Sequence, residues 1–197
     1  MIAAIILAAG KSERMGRPKA LLPFGTSTFL QHLYGLLKGS SAGEVRVVLG
    51  AQAVEIKAGI DIPEQEIVIN PDYEKGMLSS LQAGLVALQE TAPEAVILCP
   101  VDHPNISLPL IELIISSFRS SKAEIIIPTR EGRRGHPVLF ASSLFEDLLS
   151  APLDVGARHV VHQYPEKVLE VETDEPGVVQ DIDAPEDYRE LTGDPPG

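Results

Sequence analysis

The sequence predicts an α/β fold: a three-layer α/β/α sandwich around a Rossmann-like, mostly parallel sheet that also holds an antiparallel strand. Short apolar runs rich in Ile and Val lack polar alternation, which is typical of strands buried on both faces of a sheet. Between them lie segments with apolar residues three and four positions apart, the pattern of helices with one buried face. The strand patterns cover residues 2–7, 45–49, 67–69, 95–98 and 125–127, and the helical patterns cover residues 29–38, 77–89 and 108–118.

Residues that favour helix ends flank these patterns. A hydroxyl residue at positions 26–28 can cap the first helix, Gly39 follows its last residue, and Ser107 can cap the third helix. A charged turn at residues 130–135 leads into an apolar run at residues 137–140, which predicts a returning strand and a mixed sheet. In open sheets of this kind, ligands bind outside the carboxyl ends of the strands.

Length and composition favour one domain of the soluble class. The chain has 197 residues, of which 44% are hydrophobic, so we expect a single domain over residues 1–192 and a flexible tail at 193–197. A net charge of −12 argues against nucleic acid as a partner. The apolar start is too short to span a membrane and lacks a basic flank, and Cys99 has no second cysteine to pair with. These observations indicate a cytoplasmic protein with no membrane partner.

The segment after the first strand pattern, residues 7–19, combines small residues with four cations. Small residues let the backbone approach a ligand, and amides together with Lys or Arg hold phosphate oxygens, so a triphosphate suits this segment. Two common phosphate motifs do not fit: a Walker loop needs glycine where Ile5 stands, and a dinucleotide fingerprint needs glycine at Ser12. The second mismatch disfavours a nicotinamide oxidoreductase. A basic surface turn is the simpler alternative.

The same segment resembles the signature of the nucleotidyltransferases with a glycosyltransferase-A-like fold, also called nucleotide-diphospho-sugar transferase-like. That signature reads Leu-Ala-Ala/Gly-Gly-x-Ser-x-Arg-Met-Gly-x-x-Lys. The resemblance implies catalytic, phosphate-neutralising roles for Arg14 and Lys19. It also implies that four residues contact the nucleotide, namely Leu7, Ala8, Ala9 and Gly10.

A second segment, residues 70–81, joins the third strand pattern to a helix whose start is rich in hydroxyl groups. Free amides at a helix start suit an anion or the polar edge of a base. The family's Gly-Met-x-x-Ser-Leu pattern implies that Gly76, Ser79 and Ser80 bind the nucleotide. On their own, the two serines would be interpreted as helix caps.

Two aspartates are candidate ligands of Mg²⁺. Asp102 follows the most apolar central strand, and the family places a metal-binding and catalytic aspartate there. Near the C-terminus, residues 180–188 resemble the family's Asp-Ile-Asp-Thr-Pro-Glu-Asp ending, which implies that Asp183 completes the site, with Asp181 as a weaker candidate and one or two metals possible in principle. Both Asp102 and Asp183 could instead cap local turns or helices.

Two further segments predict the acceptor side. They resemble the Gly-x-x-Gly-His-Pro and Gly-Asp-x-Gly-Ala-Arg segments of the cytidylyltransferases that attach CMP to molybdopterin, although Leu153 stands where glycine is usual. Ala9, where guanylyl enzymes carry glycine, also favours the cytidylyl branch, with a preference of about 1–3 kcal/mol. A solvated hairpin and a turn are the simpler alternatives. The implied acceptor residues are Arg134, Gly135, His136, Asp154 and Arg158.

The sequence therefore predicts a Mg²⁺-dependent enzyme that transfers CMP from CTP to a phosphorylated small molecule, molybdopterin above all, and releases pyrophosphate. The alternatives are a GTP-dependent or sugar-1-phosphate nucleotidyltransferase and a non-catalytic nucleotide sensor. A molybdoenzyme or its chaperone is a further expected partner.

Overall fold

A computed structural model describes residues 1–194, and a central sheet with helices on both faces dominates it. The tail predicted at 193–197 lies mostly outside the described residues. The strands are β1 (Ile2–Ala8), β2 (Pro23–Phe24), β3 (Ser27–Thr28), β4 (Glu44–Leu49), β5 (Ile67–Ile69), β6 (Ala95–Pro100), β7 (Ile125–Arg130), β8 (Arg133–Arg134), β9 (Val138–Ala141) and β10 (Val168–Glu172). The helices are α1 (Phe29–Lys38), α2 (Ala53–Ala58), α3 (Met77–Ala87), α4 (Leu108–Ser120), α5 (Phe145–Ser150), α6 (Arg158–Gln163) and α7 (Pro185–Thr192).

The sheet is mixed, with the strand order β10-β7-β9-β6-β1-β4-β5 and β8 paired to β7. Parallel pairs join β1 to β4 and β6, β4 to β5, and β7 to β10. The strand β9 runs antiparallel between β6 and β7. The predicted fold class, a mostly parallel sheet with an antiparallel strand between two helical layers, is thus confirmed.

Both faces of the central strands are buried, as the unbroken apolar runs predicted, whereas the prediction is wrong for β5, an edge strand whose Ile69 is 50% exposed. Alternate residues of β1 enter two different cores: Ile6 packs on the side of α1 and α4, and Ile5 packs on the side of α3 and α5. All seven residues of β1 are buried. Because successive strand residues face opposite sides, a strand between two helical layers needs apolar residues at every position.

Helix boundaries follow the local capping chemistry. Thr28 accepts a hydrogen bond from the backbone N of Gln31 at the start of α1, and Ser107 does the same for Leu110 at the start of α4. The helix α3 ends at Ala87, two residues before its predicted end, because the backbone N of Leu88 and of Gln89 donate to oxygens three residues back, which tightens the last turn. The six-residue helices α2, α5 and α6 were not predicted, since they are too short for an apolar repeat.

The segment before α7 lies against the loop after β6 at very short range. A side chain at Gly177 would place its Cβ 1.7 Å from the backbone oxygen of Asn105, and one at Gly135 would lie 1.9 Å from the oxygen of Val178. The ring nitrogen Nδ1 of His103 donates to the oxygen of Gly177 at 2.9 Å. This packing brings the chain that precedes residue 183 to the loop after β6.

Among residues 1–194, no helix is both long enough and apolar enough to cross a membrane.

We expect Gly177→Ala to lower the free energy of unfolding by at least about 2 kcal/mol, because the new methyl group meets backbone atoms that cannot rotate away. Urea denaturation measures the change. The matched control is Gly35→Ala in α1, where a Cβ meets nothing within 4 Å. Because alanine favours the helix more than glycine does, we expect the control substitution to raise the free energy of unfolding by about 0.5–1 kcal/mol. Equal stabilities for the two variants would contradict the close packing of the C-terminal segment.

Candidate active site

A cavity of about 450 Å³ opens at the carboxyl ends of β1 and β6. It lies where ligands bind in open α/β sheets. The predicted site residues that line this cavity are Leu7, Ala8, Ala9, Gly10, Arg14, Lys19, Gly76, Ser80, Asp102 and Asp183.

The cationic loop between β1 and residue 19 folds as a tight turn. The backbone oxygen of Ser12, which has a φ of 52°, accepts from the backbone N of Met15 and Gly16. The Ser12 hydroxyl oxygen accepts from the backbone N of Lys19 at 3.1 Å. Ser12 therefore fixes both the turn that carries Arg14 and the start of the short helix that carries Lys19. Ser12 stands at the serine position of the signature, but no role was predicted for it from the sequence.

The Lys19 ammonium group joins the two aspartates that the sequence predicted as metal ligands. Its Nζ lies 3.4 Å from Oδ2 of Asp102 and bonds directly to Oδ1 of Asp183. Arg14 pairs with the other oxygen of Asp183. The Lys19 side chain is only 11% exposed, so water screens its two ion pairs less than it screens the pair of the exposed Arg14 with Asp183. Two cations and two carboxylates form one cluster at the cavity wall.

Two backbone contacts account for the position of Asp183. The backbone N of Ile182 donates to the oxygen of Asp102 at 2.8 Å, which ties the two acidic segments together. The carboxylate of Asp187 accepts from the backbone N of Asp183 and Ala184 at 2.9 and 2.7 Å, and so caps α7. The alternative that Asp183 caps this helix is wrong, and its side chain is free to face Lys19. The weaker candidate, Asp181, is exposed and is not among the cavity residues.

Charge pairing changes the acidity of Asp183. Partial burial acts to raise the pKa of this carboxyl group, but the hydrogen bonds and positive charges of Lys19 and Arg14 outweigh burial. The net pKa lies below the ordinary value of 3.8. Asp183 is consequently ionised at neutral pH, as a ligand of a cation must be.

The two carboxylates fit a magnesium ion that takes its other ligands from the phosphates of a nucleotide and from water. Asp102 and Asp183 already share one ammonium group, and carboxylate oxygens are the ligands that this hard cation takes. In the described part of the chain, no group of three or more metal-ligating side chains occurs. Magnesium typically binds one or two carboxylates and completes its shell with phosphate oxygens and water.

The segment from Asn70 to α3 forms the opposite wall of the cavity. Gly76 precedes α3 with a φ of 100°, a conformation that favours glycine. Ser80 lines the cavity, whereas the Ser79 hydroxyl donates to the backbone oxygens of Gly76 and Asp72 at 2.8 and 3.0 Å and is not among the cavity residues. Across the cleft, Lys11 pairs with Glu74 at 2.7 Å.

A second cavity of about 540 Å³ adjoins the first, and Met77 lines both. Its lining is mainly apolar, with Leu78, Leu98, Phe140 and other side chains. Four of the five predicted acceptor residues line it, namely Arg134, Gly135, His136 and Arg158. The fifth, Asp154, is exposed and is not among the lining residues.

The two arginines of this cavity differ in their partners. The guanidinium of Arg134 pairs with Oε1 of Glu170, at 2.7 Å from Nε and 2.6 Å from the terminal nitrogen. Arg158 donates from Nε to the backbone oxygen of Val155 at 2.8 Å and has no ion-pair partner in the described chain. The charge of Arg158 is therefore the more available for an anion.

His136 lies between this cavity and the Asp102 loop, with its ring centroid 5.1 Å from that of His103. The Nδ1 atom of His136 is buried and has no hydrogen-bond partner in the described chain. Burial lowers the pKa of His136 to about 4, the neighbouring His103 acts in the same direction, and Asp181 opposes them. The imidazole is therefore neutral at pH 7.

Comparison with known proteins identifies the family of this chain. The family described as MobA-like NTP transferase domain matches residues 4–168. The chain belongs to this nucleotidyltransferase family. Members of the MobA-like family are thus the appropriate comparison for both cavities.

Two relatives match almost the whole chain. Nicotine blue oxidoreductase of Paenarthrobacter nicotinovorans is 30% identical over 197 residues, which cover 96% of each protein. The molybdenum cofactor cytidylyltransferase of Escherichia coli K12 is 30% identical over 186 residues, 93% of this chain and 92% of the relative. Relatives with names from two reaction classes therefore stand at the same identity.

A solved structure confirms the fold. Rv0371c of Mycobacterium tuberculosis H37Rv superposes with a TM-score of 0.85 at 28% identity and covers 98% of this chain and 97% of its own. The manganese complex of the same protein gives a TM-score of 0.80 at 26% identity, with 98% of both chains covered. The fold shared with Rv0371c thus covers nearly the whole chain, whereas the family match ends at residue 168.

The buried histidine predicts a specific loss of stability in mild acid. The folded state keeps His136 neutral, whereas the unfolded chain binds a proton below the ordinary pKa of 6.5, so falling pH favours unfolding until pH about 4. Between pH 7 and pH 5 we expect the wild type to lose about 2 kcal/mol more than His136→Gln. Urea denaturation at both pH values measures this difference, and the carboxylates that titrate in both proteins cancel. Parallel losses in the two proteins would contradict the burial of a neutral imidazole.

Proposed function

We propose that this chain transfers the CMP group from CTP to a phosphorylated small molecule, and that this acceptor is molybdopterin. The observation that carries the proposal is the convergence of Asp102 and Asp183 on Lys19 at the wall of a cavity that the signature loop also lines. Carboxylates that suit a metal cation and cations that suit a polyphosphate stand together there. The cations are notable because the whole chain has a net charge of −12.

The proposed reaction is an in-line displacement at phosphorus. An oxygen of the acceptor phosphate forms a bond to the α-phosphorus of CTP, the bond from that phosphorus to the bridging oxygen breaks, and pyrophosphate leaves with the electron pair. Because the attacking oxygen is already an anion, no general base is required. Catalysis then consists of positioning the two substrates and stabilising the developing charge, which Lys19 and Arg14 do.

Asp102 and Asp183 would hold Mg²⁺ together with the phosphates. Bound there, the ion would neutralise phosphate charge and orient the triphosphate. Lys19 would then turn its ammonium group from the two carboxylates to the phosphate oxygens. The manganese complex of the structural neighbour Rv0371c supports a divalent cation in a protein of this fold.

The choice of CTP rests on Ala9 and on the named cytidylyltransferase relative. Ala9 lines the first cavity, and its backbone oxygen accepts from the N of Ala51 at 3.0 Å, which holds the residue in place. A methyl group there reduces the room for a purine. Since one methyl group discriminates by only about 1–3 kcal/mol, GTP is the first alternative substrate.

The second cavity supports a separate acceptor that is apolar and anionic at once. Apolar walls suit a ring system, and the unpaired guanidinium of Arg158 suits a phosphate. Since Met77 lines both cavities, an acceptor bound here would lie next to the nucleotide. Molybdopterin, a pterin with a phosphate, has this chemistry, and a sugar 1-phosphate is the alternative acceptor.

A redox reaction is the second candidate function, because one full-length relative carries the name nicotine blue oxidoreductase. Against it stands Ser12, which occupies a position where the dinucleotide fingerprint needs glycine. A non-catalytic nucleotide sensor is the third reading of the first cavity.

One assay separates these functions. The protein is incubated with Mg²⁺, each of CTP, GTP, UTP and ATP, and either molybdopterin or a sugar 1-phosphate, and pyrophosphate release is recorded. We expect release with CTP and molybdopterin. Binding of CTP without pyrophosphate release would favour the sensor, and acceptor-dependent oxidation of NADH in a parallel arm would favour the redox function.

Replacing Lys19 or its partner Asp183 should greatly lower turnover without unfolding the protein. We expect Lys19→Met and Asp183→Asn each to lower kcat by about 100-fold or more, because each removes charge that stabilises the transferring phosphate or holds the metal. The control is Lys38→Met in α1, which removes the ion pair between Lys38 and Glu66. This variant should keep wild-type turnover. Turnover within threefold of wild type in Lys19→Met would overturn the assignment of Lys19.

The acceptor cavity yields a paired prediction for its two arginines. We expect Arg158→Ala to raise the KM for the acceptor about tenfold, because its charge is free to pair with a phosphate. Arg134→Ala should raise the same KM less, since Glu170 already neutralises Arg134. The KM for CTP should stay constant in both variants. A larger effect from Arg134→Ala would reverse this assignment.

A further inference from the structure

Asn70 follows β5, and the hydrogen-bond partners of its side-chain amide determine how that amide is oriented. It is 3% exposed, and its Oδ1 accepts from the backbone N of Asp72 at 2.9 Å. A backbone N can only donate, so Oδ1 must face it and Nδ2 must face the other way. On that side, Nδ2 donates to the hydroxyl oxygens of Ser79 at 2.9 Å and Ser80 at 3.0 Å. The orientation of the amide therefore follows from its partners.

The two serines then differ in where their protons go. Each hydroxyl oxygen already accepts a bond from Asn70, so each proton must be donated elsewhere. The Ser79 proton has backbone acceptors within reach, the oxygens of Gly76 and Asp72. Ser79 is thereby satisfied inside the protein and stabilises the start of α3.

The Ser80 proton has no acceptor in the described part of the chain. Its residue is 3% exposed, yet it lines the first cavity beside Gly76 and Met77. A buried hydroxyl donor without an acceptor is costly unless a ligand supplies one. The α3 wall of the cavity thus presents the Ser80 hydroxyl as a directed donor.

We propose that Asn70 is a positioning residue for nucleotide recognition, which holds Ser80 so that its hydroxyl donates to an acceptor atom of the base. This inference rests on the proposed function. The cationic loop binds the phosphates, so the α3 side of the cavity is left for the nucleoside. Cytosine offers a carbonyl oxygen and an unprotonated ring nitrogen as acceptors, and either suits the Ser80 proton.

Asn70→Asp tests this polarity with almost no change of shape. A carboxylate only accepts, so it keeps the bond from Asp72 but draws the Ser80 proton to itself. Ser80 then presents lone pairs to the base instead of a proton. We expect the Kd for CTP, measured by calorimetry with Mg²⁺, to rise about five- to tenfold, the loss of one hydrogen bond.

A double-mutant cycle distinguishes positioning from general damage. If Asn70 acts through Ser80, then Asn70→Asp should change the Kd for CTP little in the Ser80→Ala background. Inorganic tripolyphosphate with Mg²⁺ is the second probe. It has no base, so its Kd should be the same in wild type and Asn70→Asp. A rise for tripolyphosphate as well would show that the added negative charge, and not Ser80, weakens binding.

The outcomes separate the inference from the function on which it rests. Wild type that binds neither CTP nor another nucleoside triphosphate overturns both. Wild type that binds CTP while the effects of the two substitutions simply add overturns the inference alone. Should Asn70→Asp fail to fold in circular dichroism, Asn70→Ala takes its place in the same cycle, with the same coupling to Ser80 expected.

Discussion

The ammonium group of Lys19 is the contact on which the candidate active site depends. It lies between Asp102 and Asp183, which are distant in sequence, at a depth where water screens charge poorly. Without a cation between them, these two carboxylates would repel each other. Lys19 and Arg14 instead keep Asp183 acidic. Two cations and two carboxylates thus stand together at the wall of the first cavity.

Such an assembly requires a rigid frame, and the C-terminal segment provides it. Gly177 and Gly135 allow backbone to meet backbone, and the bond from Ile182 to Asp102 closes the contact next to the site. These interactions are short and mostly between backbone atoms, so they transmit little freedom to Asp183. The same segment covers His136, which links the frame to the second cavity. One packing contact thus positions both Asp183 at the first cavity and His136 at the second.

Adjacent cavities with different linings match a reaction with two unlike substrates. The first carries charge, and the second is mainly apolar, with Arg158 making no ion pair among residues 1–194. Between them, Met77 stands at the start of α3, directly beside the Asn70 and Ser80 pair. In a MobA-like protein this division favours nucleotide selection on one side and acceptor selection on the other. Two relatives of equal identity but different names show why the acceptor side must be tested directly.

The sequence by itself determined the features that depend on neighbouring residues. Unbroken apolar runs identified the buried strands, hydroxyl caps identified α1 and α4, and the string at residues 7–19 identified the family, because each of these is a local pattern with a local physical cause. The tertiary structure decided what depends on distant contacts. It brought Asp183 to Asp102, turned Ser79 inward and left Ser80 at the cavity, and placed Asp154 away from the second cavity. A side chain's partner across a fold is set by packing between remote segments, and no spacing along the chain encodes that packing.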